Sequence, residues 1–171
     1  MSVIGIPGGR NSEGLEGEQR VVVEFLTRAY WMEIETVMNY LAASISQLGG
    51  HAALEVRTAL TEGVEDEVAH ARALGRRIQE LYGVVPGASG VAGDDEYPQP
   101  FERQTDLEGM VEAVIATETS AIRHYMRIMR ATNRVDQVTN DLVLEILRDE
   151  QRHLCRFEGY LSELRSQPAA A

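Results

Sequence analysis

Two short stretches of this 171-residue chain set a carboxylate and an imidazole one helical turn apart: Asp66-Glu67-Val68-Ala69-His70 and Asp149-Glu150-Gln151-Arg152-His153. Residues three apart on a helix share a face. Each Glu-x-x-His therefore aims an oxygen donor and a nitrogen donor at one point, which is the chemistry of a metal ligand pair. Both lie in apolar stripes. Val56, Leu60, Val64, Ala71, Leu74, Ile78 and Leu81 surround the first, and Val143, Ile146, Leu147, Leu154, Phe157, Leu161 and Leu164 surround the second. An ionised glutamate in such a stripe has to be paired or bound to a cation, because an isolated buried charge is too costly to keep.

Four helical periods position these residues. The first runs from about Glu18 to Leu48, with Val22, Leu26, Tyr30, Val37, Tyr40, Leu41, Ser44 and Leu48 along one stripe and Glu33 in its middle. Glu35 points the other way, so spacing selects Glu33. Gly49-Gly50 stops that helix, and a second spans about His51 to Tyr82. The third, about Thr105 to Thr132, carries Leu107, Val111, Val114, Ile115, Ala121, Ile122, Tyr125 and Met129 with Glu118 among them. Asn133-Arg134 then leads to a fourth from about Val135 to Arg165. Residues 83–104, rich in Gly and Pro, are too long for a hairpin. A helix of about 30 residues spans about 45 Å, and about 22 extended residues reach as far, so this segment can cross the bundle end to end. Residues 1–17 read as a flexible arm, 18–165 as one bundle and 166–171 as a frayed end.

An internal repeat runs through the pattern. Glu33 precedes Tyr40 by the interval at which Glu118 precedes Tyr125, and Asp66-Glu67-x-x-His70 returns as Asp149-Glu150-x-x-His153. Residues on antiparallel neighbours share a height when they are equally far from the turn. Glu33 and Glu67 are centred on Gly50, and Glu118 and Glu150 on Arg134. Four glutamates and two histidines thus meet at one level of one core, as a two-metal carboxylate bundle requires. Glu67 and Glu150 are expected to bridge two metals, Glu33 with His70 to complete one, and Glu118 with His153 the other. The donor set suits iron or manganese. Two ferrous ions held together can reduce dioxygen or peroxide by two electrons, which points to a ferroxidase. Asp66 and Asp149 either accept the second ring N–H of a histidine across the bundle or are solvated surface carboxylates. Tyr40 and Tyr125 either bond a ligand carboxylate or supply an electron, or, more plainly, are core tyrosines with a satisfied hydroxyl. His51 follows the first turn and His124 lies off the core stripe; each reads as an exposed histidine, with help in binding a surface or pore ion as the alternative.

With these residues assembled, the chain resembles the ferritin-like superfamily, in particular its bacterioferritin and Dps-like branches with a di-iron centre inside each subunit. The likeness rests on Glu33 to Tyr40, Asp66-Glu67-x-x-His70-Ala71, Glu118-x-x-Ala121-Ile122-x-x-Tyr125 and Glu145-Ile146-Leu147-Arg148-Asp149-Glu150-x-x-His153. It implies an all-α fold, an antiparallel four-helix bundle with a long crossover between the second and third helices. It also implies two iron ions per subunit, oxidation of Fe2+ by O2 or H2O2, iron storage and detoxification, and a hollow homo-oligomeric shell. No fifth helix is evident, as in the Dps-like group, which favours a 12-mer over a 24-mer. Haem-binding members carry Met after the second-helix bridging Glu, where this chain has Val68, so haem is not expected. Met32 and Met38 read as interface or surface residues. Thiol-containing relatives have a cysteine pair near the site, whereas this chain has only Cys155, facing outward by spacing.

Composition narrows the function further. The formal charge is −11 with no lysine, which argues against nucleic acid, since phosphate neutralisation dominates that affinity. One cysteine allows no internal disulfide, and neither a leader nor a membrane-spanning run is expected, leaving a cytoplasmic protein as the default. The rival reading is a non-cage di-iron oxidase or oxygenase acting on an organic substrate, because Asp149 to His153 also resembles the Asp/Glu-Glu-x-Arg-His motif of such enzymes. A manganese catalase-like enzyme has compatible ligands. A purely structural bundle leaves four core glutamates unexplained.

Overall fold

The recurrence of apolar residues every three to four positions builds four helices in the computed structural model, which describes residues 17–46, 49–87 and 106–166. They are α1 (Gly17–Ser44), α2 (His51–Glu80), α3 (Leu107–Thr132) and α4 (Gln137–Ser166). Residues 1–16 of the expected 1–17 arm, Leu48, most of the crossover and residues 167–171 of the expected 166–171 end lie outside the described residues, while Gly17 and Ser166 belong to α1 and α4. No described helix is long and apolar enough to cross a membrane.

Local chemistry sets the helix ends. The two midpoints reached by counting, Gly50 and Arg134, are residues of positive φ, at 100° and 67°. Glycine meets that demand at the first turn without a steric penalty. At the second, Asp136 turns the chain into α4: its Oδ1 accepts the Thr139 N–H at 3.0 Å, which is N-cap geometry. Helix α4 therefore begins after Asp136, not at Val135. Asp106 does the same for α3, accepting from the Gly109 N–H at 2.9 Å. Helix α2 closes with Gly83 N–H donating to Ile78 O at 2.8 Å and Tyr82 N–H to Gln79 O at 2.9 Å, the paired bonds of a Schellman cap.

Helices α1 and α2 form one hairpin, and α3 and α4 the other. Across the hairpins, the hydroxyls of Tyr40 and Tyr125 donate to Glu118 and Glu33. Residues later on α1 thus pair with residues earlier on α3. Helix α4 runs the same way against α2, through His70 with Asp149 and Asp66 with His153. Every neighbouring pair is antiparallel, so the end of α2 and the start of α3 lie at opposite ends of the bundle.

Two apolar clusters fill the interior on either side of a polar layer. Val22, Leu26, Leu74, Ile78, Ile128, Val143 and Ile146 belong to one, and Ala43, Val56, Leu60, Met110, Val111, Val114 and Phe157 to the other. Arg77 ties the hairpins together outside them. Its Nη2 pairs with Asp136 Oδ1 at 2.8 Å and its Nε donates to Thr139 Oγ1 at 2.8 Å.

Three side chains depart from the sequence reading. Leu41, expected in the core, is 53% exposed, while Met32 and His124, expected outside it, are 4% and 3% exposed. Helix α1 packs against both α2 and α3, so its buried arc is wider than one stripe and turns toward Met32, Thr36 and Tyr40. Leu41, about 100° beyond Tyr40, is left in solvent. His124 lies on the matching arc of α3 and its Nε2–H donates to Phe25 O at 2.9 Å. Helix α1 also ends at Ser44, before the expected Leu48: Ser46 N–H turns back to Ala43 O at 3.1 Å.

Gly63 on α2 makes room for the Tyr40 ring, since a Cβ there would meet Tyr40 Cδ2 and Cε2 at 3.0 Å. Replacing Gly63 by Ala should gain about 1 kcal/mol of helix propensity and lose about 1–3 kcal/mol to overpacking. The expected result is a lower midpoint in urea denaturation for Gly63→Ala. A raised midpoint would mean that the ring is not held where it lies.

Candidate metal centre

Each helix contributes one carboxylate to the polar layer, and Glu33, Glu67, Glu118 and Glu150 are all 1–2% exposed. His70 and His153 follow Glu67 and Glu150 by one turn and close the layer from the α2–α4 side, with ring centroids 6.4 Å apart. The six side chains fall into two groups whose ligand atoms lie within 4.8 Å of one another: Glu33, Glu67, His70 and Glu150, and Glu67, Glu118, Glu150 and His153. Glu67 and Glu150 belong to both groups.

Each imidazole has its orientation set from across the bundle. His70 Nε2 lies 3.3 Å from Asp149 Oδ2, and His153 Nε2 lies 3.2 Å from Asp66 Oδ2. With Nε2–H donating outward, Nδ1 faces the layer, as in a histidine prepared for a cation. His70 Nδ1 has Glu67 Oε2 and Glu150 Oε1 at 3.2 Å and Glu33 Oε2 at 3.5 Å. A single ring nitrogen cannot hydrogen-bond three carboxylates well. His153 Nδ1 lies 3.4 Å from Glu67 Oε1, yet it is among the buried polar atoms left without a hydrogen bond, together with Glu67 Oε1 and Glu150 Oε1. Buried polar atoms are rarely left unpaired, and here they converge on one place. The donor set fits a pair of divalent cations: four carboxylates offset the charge, and the two nitrogens match iron or manganese.

Tyr40 and Tyr125 are fully buried and each donates to a carboxylate of the opposite hairpin, Glu118 and Glu33 respectively. Burial and the adjacent carboxylate hold both phenols well above their usual pKa. Each phenol thus donates to a candidate ligand, a bond that also satisfies its buried hydroxyl. Glu35 is only partly buried and outside the groups, as its spacing indicated. His51 is exposed beside Glu55 at 3.7 Å, and Cys155 is exposed. All six candidate ligands lay in the sequence pattern. What the pattern missed was Gly63 under Tyr40, for which a helix-interior glycine was the visible signal, and the Arg77–Asp136 tie between the hairpins, for which it held none.

In the metal-free protein, protons offset the crowded charge. Burial, and then the neighbouring Glu33, drive the Glu67 carboxyl well above the carboxylate range. Burial and Glu150 do the same to Glu118. Burial with Glu67 and Glu33 raises Glu150 to about 8. For Glu33, burial pushes upward but Glu67 and His70 outweigh it and keep it low. Burial opposes the charge on His70, yet Glu150, Glu33 and Glu67 together hold its ring protonated.

A four-helix bundle with two interlocking carboxylate–histidine groups in its core defines the class of two-metal carboxylate bundles. Residues 23–166 match the ferritin-like domain, and the chain belongs to that family. No curated protein sequence matches it. Among solved structures it is similar to the dodecameric thioferritin of Bacteroides fragilis, a bacterioferritin-related protein, with TM-score 0.74 and 24% identity over 90% of this chain and 91% of that one. The Desulfovibrio desulfuricans bacterioferritin, described with a diiron site, gives TM-score 0.71 and 22% identity over 86% of this chain and 82% of that one. A ferritin-like diiron-carboxylate protein of Bacillus anthracis gives 0.72 and 17%, covering 86% and 99%. At these identities the likeness is one of fold.

The protonated layer has a sign that can be measured. Glu150, Glu67, Glu118 and His70 bind protons more tightly folded than unfolded, so between the unfolded and folded values the native state holds more protons and stability falls as pH rises. The melting temperature of metal-free protein should therefore drop from pH 6 to pH 9, through the Glu150 value of about 8. Mn2+ bound at these carboxylates would displace those protons, and should then raise the melting temperature more at pH 8.5 than at pH 6. A metal-free melting temperature that climbs over this range would contradict the protonated layer.

Proposed function

We propose that this protein is a ferroxidase and iron-storage protein, with Fe2+ as its substrate and O2 or H2O2 as oxidant. Glu67 and Glu150 would be shared between two ions, Glu33 and His70 would complete one position, and Glu118 and His153 the other. The observation that carries this reading is the pair of four-residue groups sharing two carboxylates. Two ferrous ions bound there supply one electron each to the oxidant. The protein's part is to hold the four carboxylates deprotonated once cations arrive, to present both Nδ1 atoms inward and to keep water scarce.

Access supports an ionic substrate over an organic one. The glutamates are 1–2% exposed, and the least covered candidate ligand is the His153 side chain at 14%. Beside it stand Asp66 and Asp149, with side chains 59% and 33% exposed. A cation drawn to these rim carboxylates reaches the histidines directly, whereas the closed layer has little room for an organic molecule. Assembly into a homo-oligomeric shell, a 12-mer in preference to a 24-mer, is part of the proposal. Its support is the dodecameric relative. The native metal pair is taken as iron, with manganese as the compatible substitute.

Anaerobic loading with Fe2+ followed by oxygen should give rapid formation of ferric absorbance and oxygen uptake, and the particle should scatter light as a dodecamer of the 19.0-kDa chain. Asp149→Asn should slow oxidation by about 10–100-fold, the usual cost of losing an outer partner of a metal-bound histidine. Glu67→Ala should slow it by roughly 100-fold or more, because it removes a shared ligand rather than an outer partner. Wild-type rates in Glu67→Ala would refute the centre. A monomer with intact oxidation would refute the shell alone.

A further inference from the structure

From Thr119 to Val135 the chain has no carboxylate, while Arg123, Arg127, Arg130 and Arg134 all fall in that run. In a protein of net charge −11 this is a local reversal of sign. Arg123 and Arg127, one turn apart and exposed on α3, form no ion pair among the described residues. With Arg28 of α1 they border a cleft of about 190 Å3, completed by Met32, Ser120 and His124. Its base is fixed, since His124 is buried, donates to Phe25 O at 2.9 Å and stacks edge-on against the Phe25 ring at 5.9 Å.

The guanidinium groups of Arg123 and Arg127 border one cleft and repel each other, and an anion between them removes that repulsion. The volume selects the kind of anion. It is several times the roughly 30 Å3 of one water, yet below the roughly 300 Å3 at which pockets for organic ligands begin. Arginine's planar fork of N–H donors matches the edge of a tetrahedral oxyanion, and the Ser120 hydroxyl adds a further donor. We propose that this cleft binds a small tetrahedral oxyanion of the phosphate class. Met32 adjoins Glu33 and Ser120 follows Glu118 by two residues. The oxyanion would thus lie on the outer side of the helix pair whose inner side carries the two unshared glutamates.

Binding is a property of the metal-free protein, so its measurement is independent of the iron chemistry proposed above. Sodium phosphate titrated calorimetrically into full-length, metal-free protein in dilute buffer should show saturable binding of one ion per chain, weakened by added NaCl. The Arg123→Gln/Arg127→Gln pair should lose at least tenfold in affinity with its helical circular dichroism unchanged. Arg130→Gln, on the same helix but outside the cleft, should bind within twofold of the parent. The proposal is overturned if phosphate gives no saturable binding, or if the double variant binds as tightly as the parent. Equal loss in Arg130→Gln would also overturn it, by showing a diffuse basic surface. So would a short DNA duplex that binds through these arginines while phosphate does not.

Discussion

Four carboxylates at one level of an apolar interior are the constraint around which this molecule is built. Left ionised and alone they would repel one another in a medium that screens poorly, and each would bear a large desolvation cost. In the metal-free protein the conflict is relieved by protonation, with Glu67, Glu118 and Glu150 pushed upward and His70 held as the cation. Those protons occupy the place of positive charge that two divalent ions would take. Protons and divalent ions would satisfy the same electrostatic need.

The support of that layer crosses between the two halves. Tyr125 of α3 holds Glu33 of α1, and Tyr40 of α1 holds Glu118 of α3. Asp149 of α4 faces His70 of α2, and Asp66 of α2 faces His153 of α4. Each hairpin carries its own Glu-x-x-His, yet the groups that aim those side chains come from the other hairpin. Neither half can hold the arrangement by itself. Packing of the two hairpins against each other is therefore what assembles the candidate centre.

The apolar clusters on either side complete the logic. Tyr125 packs within one and Tyr40 within the other, so the phenols reach the carboxylates from opposite directions while their rings stay in hydrocarbon. Their hydroxyls are spent on ligands and their bodies on packing. The near-twofold repeat therefore governs the core as well as the ligands. It does not extend to the surface, where the carboxylate-free stretch bearing Arg123, Arg127 and Arg130 belongs to α3.

Much of this was already legible in the order of residues. A turn on an antiparallel hairpin forces residues equidistant from it to the same height, so counting from Gly50 and Arg134 was enough to align the four glutamates, and a three-residue interval was enough to add the histidines. These are properties of helix geometry and need no knowledge of neighbours. The buried arc of each helix could not be read that way: Leu41, Met32 and His124 changed places because α1 meets two partners at once, and the width of a buried arc depends on how many helices press against it. The choice between a solvated Asp66 and one facing His153, or between an ordinary core Tyr40 and one holding Glu118, was likewise made only by docking of the hairpins. Spacing along a helix decides which residues share a face; only the packed bundle decides what that face meets.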